Sequence, residues 1–154
     1  MNALHSRVSS IPIDRLSDAD VLASLAPFRG LAPTQVQVLV DNMVRTSRTA
    51  KTVILREGEI ADGLYIVLRG RVHLTRSLPG GREIILGSLG PGELFGETVA
   101  VEHLAMTSSA VASLPSEVAR ISGETIATLT REHPETLRGL MASLAARMSD
   151  VESI

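Results

Sequence analysis

The chain has 154 residues, 44% apolar and 21% charged, which suits one domain with a real core and leaves no room for a second of ordinary size. It has no cysteine, excluding disulfides, thiolate metal sites and cysteine nucleophiles, and no leader-like or membrane-length apolar run, so a cytoplasmic protein without a membrane anchor is expected. Net charge is −2, the basic residues are scattered with Arg45, Arg48 and Lys51 the densest group, and only Phe28, Phe95 and Tyr65 are aromatic, which argues against direct nucleic-acid binding.

Residues 1–15 read as a flexible N-terminus. Ser17, followed by Asp18 and Asp20, looks like a cap with acids in the first turn of a helix that carries Val21, Leu22 and Leu25 and stops at Pro27. A second helix is predicted from Pro33, with Val36, Leu39, Val40 and Met43 on one face. From Arg45 to Ser122 the texture changes to short runs rich in Val, Ile, Leu and Thr. These are Thr52 to Leu55, Leu64 to Arg69, Arg71 to Arg76, Glu83 to Leu89, Ser108 to Leu114 and Glu117 to Ile121. Glycine-containing turns separate them at near-regular spacing, the pattern of a sandwich or barrel.

Helical pattern returns after a cap at Ser122, and His133 with Pro134 breaks and restarts the chain. Residues 134–154 then place Leu137, Met141, Leu144, Met148 and Val151 at spacings of four, three, four and three, a heptad seam with Arg138, Arg147, Asp150 and Glu152 off it. A subunit–subunit helix and a homodimer are expected from this seam; the competing reading is a helix packed on its own barrel.

The segment that carries chemistry runs from Gly90 to Ala112. Gly96 allows a sharp turn or a close backbone approach, and a short helix starting near Glu97 would aim free N–H groups at an anion. Several motifs in this order resemble the cyclic-nucleotide-binding domain of Crp/Fnr-type regulators: Arg56 to Gly58 before Ala61 to Tyr65, Gly70 to Val72, and above all Gly92, Glu93, Leu94, Phe95, Gly96 and Glu97. The resemblance spans residues 16–154, with the sensory barrel over 16–133. It implies a mainly β jelly-roll barrel with two N-terminal helices and C-terminal helices, the last of them for dimerisation.

In that family the Phe-Gly-Glu segment opens a phosphate-binding cassette, whose glutamate takes a ribose 2′-hydroxyl while an arginine on the following strand pairs with the cyclic phosphate. The resemblance thus marks Phe95, Gly96, Glu97, Thr98, Met106, Thr107 and Ser108 as candidate ligand-binding residues, with Met106 at the arginine position. Losing that charged hydrogen bond removes about 1.5–3 kcal/mol of phosphate affinity, so cyclic-nucleotide binding is expected to be weakened. Arg71, Arg76 and Arg82 are the nearest alternative cations in sequence, and nothing in the sequence places them in a pocket.

The resemblance implies a ligand-sensing regulatory domain that answers a small-molecule effector. A helix-turn-helix domain would begin in such regulators near where this chain ends, at Ile154. Two alternatives stand beside this reading: a degenerate barrel serving only as a dimerisation or interaction scaffold, and a haem-based gas sensor. For the latter, His5, His73, His103 and His133 show no paired metal spacing. No enzyme signature is present: no Gly-x-Ser-x-Gly elbow, no Walker loop and no histidine–carboxylate cluster. A non-enzymatic protein is expected.

Overall fold

The computed structural model describes the backbone of residues 17–152 and the side chains of residues 17–147. The segment 1–15, expected to be flexible, lies outside the described residues. Helix α1 (Asp18–Ser24) opens on Ser17, whose hydroxyl accepts from the Asp20 backbone N–H, with Asp18 and Asp20 where the helix dipole favours acids. Pro27 lies in a one-turn 3-10 helix, Ala26–Phe28, and Pro33 begins α2 (Pro33–Asp41). Met43, expected on that second helix, instead opens strand β1 (Met43–Arg48). Its helical spacing is outweighed by pairing with the last strand, which runs from Met43↔Ile121 to Arg48↔Ser116.

The glycine-punctuated region forms β2 (Val53–Leu55), β3 (Gly63–Arg69), β4 (Val72–Ser77), β5 (Glu83–Leu89), β6 (Leu94–Phe95), β7 (Ser109–Ala112) and β8 (Ser116–Ser122). They make two antiparallel four-stranded sheets, ordered β1-β8-β3-β6 and β2-β7-β4-β5, which face each other as a jelly roll. Ser108, read as the start of a strand, stands with Thr107 in a bend before β7.

Strand β3 is buried on both faces, which explains why it reads as a continuous apolar run rather than an alternating one. Tyr65 and Val67 point into the barrel among Leu74, Phe95 and Met106, while Leu64, Ile66 and Leu68 point the other way beneath the helices. Each such aliphatic side chain contributes about 1.5–3 kcal/mol on burial. The rings of Tyr65 and Phe95 stack with centroids 5.0 Å apart, pinning the short β6 to β3.

Ser122 caps α3 (Gly123–Glu132) by accepting from the Thr125 N–H, and His133 ends it before α4 (Pro134–Glu152). Helix α4 crosses back over the Ala26–Phe28 turn, where Gly139 sits so close that a Cβ there would stand 2.8 Å from Pro27 Cα. Thr136 and Leu140 are fully buried, and Ser143 and Arg147 continue the same face. The face turned to the domain is thus one residue before each seam position. Of the seam residues, Leu137 and Leu144 are half-buried and Met141 packs partly against the core, while the side chains of Met148 and Val151 lie outside the described residues. Among the described residues no helix is long and apolar enough to cross a membrane.

Candidate functional site

The site begins where β6 ends. Gly96 adopts φ +84°, the left-handed region, and a Cβ there would lie 2.7 Å from the Gly63 carbonyl oxygen, so both the turn and the close approach require glycine. That turn throws Glu97 inward at the start of a one-turn 3-10 helix, Glu97–Ala100. Glu97 is only 1% exposed, and a carboxylate so buried needs partners. Its Oε2 accepts from the Ser143 hydroxyl at 2.8 Å and from Arg147 Nη2, both on α4. Arg147 Nη2 also donates to the Leu94 carbonyl at 2.9 Å, clamping α4 onto the start of β6. Oε1 is buried and has no hydrogen-bond partner among the described residues.

Around this carboxylate lies a cavity of about 140 Å³. Gly96, Glu97, Thr98, Met106, Thr107 and Ser108 form one side. Leu74 and Leu86 make an apolar floor, Leu144 and Arg147 close it from α4, and Arg76 enters from β4. Six of the seven residues marked from sequence therefore meet at one cavity; Phe95 lies instead in the barrel core against Tyr65.

Met106 is held from both sides. Its backbone N–H donates to the Glu59 carbonyl and its carbonyl accepts from Gly58, each at 2.8 Å, and its buried thioether accepts weakly from the Thr98 hydroxyl at 3.4 Å. The position thus presents a soft apolar atom to the cavity. Of the alternative cations, Arg76 lines the cavity, with Nε and Nη2 donating to the Thr107 carbonyl at 3.2 and 3.0 Å. Arg71 faces away, donating to the Ser88 hydroxyl at 3.0 Å, and Arg82 is exposed in the turn before β5.

Ser143 was not singled out from the sequence, and Arg147 only as a residue off the heptad seam. The one available signal was their spacing: they continue the face of Thr136 and Leu140 at intervals of three and four. Of the described histidines, His73 is half-buried in β4, His103 is exposed beside Glu102, and His133 caps α3; none of these three lines the cavity. Beside the site, Tyr65 donates to Asp62 at 2.9 Å, and burial, reinforced by that bond, pushes its hydroxyl up to about 12.

The family described as cyclic nucleotide-binding domain matches residues 45–133, from β1 to the end of α3. The cyclic AMP receptor protein of Thermus thermophilus is 34% identical over 125 residues, covering 81% of this chain and 58% of that protein. This chain therefore spans less than two thirds of that relative's length. The crystal structure of Thermus thermophilus catabolite activator protein superposes with a TM-score of 0.70 at 34% identity, covering 82% of this chain and 60% of that one. The sensor domain of the transcriptional regulator DNR from Pseudomonas aeruginosa shares the fold with a TM-score of 0.73 at 24% identity, covering 94% of this chain and 97% of that one. With the family match running through both sheets and the Gly96–Glu97 turn in the cavity lining, the chain belongs to the cyclic nucleotide-binding domain family of Crp/Fnr-type regulators.

Proposed function

We propose that this domain is a cytoplasmic, non-catalytic sensor whose small-molecule effector enters the cavity beside Glu97 and whose response is read out through α4. The carrying observation is the buried carboxylate of a residue that lines the cavity: one oxygen holds α4 through Ser143 and Arg147, and the other is buried without a donor. A hydroxyl or N–H brought to Oε1 redistributes the carboxylate's hydrogen bonding, and with it the hold on Arg147 and the pose of α4. Any effector acts by binding one pose of α4 better than another. The domain works as a homodimer through α4, with Leu137, Met141, Leu144, Met148 and Val151 as the seam between subunits. By analogy with relatives named as a cyclic AMP receptor protein and a cyclic AMP-activated global transcriptional regulator, the readout is control of transcription.

Met106 separates this reading from ordinary cyclic AMP reception, because its thioether supplies no charge for a phosphate. The same feature favours a second reading, a barrel that has ceased to bind ligand and serves as a dimerisation scaffold. Thermal-shift measurements with cyclic AMP and cyclic GMP at millimolar concentration discriminate the two, since a ligand that binds only the folded state raises Tm by mass action. The sensory reading expects a concentration-dependent rise with at least one of them or with a small hydroxy acid such as lactate. A flat Tm with all of these, together with no heat in calorimetry, sinks it in favour of the scaffold.

A further inference from the structure

The cavity carries two guanidinium groups and one carboxylate, and only one of those guanidiniums is engaged by an acid inside it. Arg147 is tied to Glu97 and to the Leu94 carbonyl. Arg76 reaches across from β4 to the Thr107 carbonyl with Nε and Nη2, while its Nη1 has no hydrogen-bond partner among the described residues. The acid nearest to it, Glu57, stands 4.0 Å from Nε, is 35% exposed and lies outside the cavity lining. Such an open contact offsets little of the charge. Thr107 directly follows Met106, so this guanidinium is fastened beside the position where the family pattern carries its arginine.

We propose that Arg76 is the anion anchor of the cavity, supplying from the neighbouring strand the charge that Met106 does not, and that the ligand is a hydroxyl-bearing monoanion. Its anionic oxygens meet Arg76 with the Thr107 and Ser108 hydroxyls alongside, and its hydroxyl reaches the buried Glu97 Oε1 by displacing the side chains that cover it. The proposal rests on the sensory reading above and names the ligand class for it. Among the lining residues two arginines face one carboxylate, and Arg76 is 37% exposed, so the cavity favours an anion over a cation. A volume of about 140 Å³ is close to the roughly 150 Å³ cavity that holds benzene, so the anion and hydroxyl belong to one compact group. That group has two sources: a small hydroxy acid, or the phosphodiester and ribose end of a cyclic nucleotide with its base outside.

Calorimetry on the full chain with cyclic AMP, lactate and adenosine separates these outcomes, adenosine keeping the ribose hydroxyls without the charge. Binding is expected for at least one of the two anions and not for adenosine, and whichever anion binds identifies the source. Arg76→Leu is expected to weaken that binding roughly ten- to hundredfold, with Arg76→Lys retaining part of it. The lysine variant also covers the case in which the leucine variant fails to fold. Anion binding that a folded Arg76→Leu variant leaves within about threefold overturns the anchor and leaves the sensory reading standing. Adenosine binding as tightly as cyclic AMP overturns the monoanion class, and no binding of any probe overturns the anchor and the sensory reading together.

Discussion

Replacing Arg147 by methionine isolates the tie between the cavity and α4. The Glu97 side chain has no exposure and that of Arg147 has 21%, so Arg147→Met leaves a buried carboxylate with one neutral donor, the Ser143 hydroxyl, and Oε1 still unpaired. Breaking one side of a buried pair costs about 3–5 kcal/mol, and the partial access of water to Arg147 places this case near 3 kcal/mol. For a domain of this size that corresponds to a fall in Tm of about 6–12 °C. Glu97→Gln alone removes the buried charge and leaves an arginine that already reaches water, a loss of about 1 kcal/mol. The double variant then loses about 2 kcal/mol rather than the sum of the two, a coupling of about 2 kcal/mol. With no tryptophan and one tyrosine in the chain, urea unfolding followed by far-ultraviolet circular dichroism is the suitable assay. A loss under about 1 kcal/mol for Arg147→Met, or additive singles, would refute the claim that this pair is a desolvated clamp.

Gly96→Ala should lower stability by about 2–4 kcal/mol in thermal melts, because it combines a left-handed residue with a Cβ 2.7 Å from a carbonyl oxygen; a change under about 1 kcal/mol would contradict that geometry. Tyr65 titrates higher folded, at about 12, than its ordinary 10.0, so its contribution is fully present below pH 10 and is lost as pH rises toward 12. Tyrosinate absorbance of the single tyrosine should follow that titration, and Tyr65→Phe should flatten the alkaline fall in stability. Met106→Arg puts a guanidinium at the family's phosphate position and should raise cyclic AMP affinity roughly tenfold or more by calorimetry, at a cost of about 1–3 kcal/mol in stability for overfilling a site only 6% exposed. Unchanged affinity in a folded variant would mean that position 106 does not face the bound phosphate.

Local chemistry was enough to read much of this molecule from its residues. Ser17 and Ser122 cap helices through their own hydroxyls, Pro33 and Pro134 start helices, and the glycine turns cut the central region into strands, because each of these effects acts within a few residues. The order Phe95, Gly96, Glu97 located the cassette turn, and glycine at position 96 is demanded by backbone geometry that any chain must obey. Met43 escaped that reading because its helical spacing is real but the pairing with Ile121 lies far along the chain. The two-residue β6 escaped it because its pairing with Tyr65 and Ile66 and the stacking of Phe95 on Tyr65 lie far along the chain.

What α4 does was decided by the tertiary structure alone. Its apolar spacing at Leu137, Met141 and Leu144 is legible in sequence, yet which neighbouring stripe faces the barrel depends on Gly139 settling against Pro27, more than a hundred residues away. That seating turns Ser143 and Arg147 onto Glu97. Likewise Arg76 was one of several arginines in the sequence, and only the β4–β7 pairing carries its guanidinium to Thr107 and into the cavity. Sequence spacing determines which side chains share a face of one element; which faces meet, and so which charges share a cavity, depends on burial summed over the whole fold.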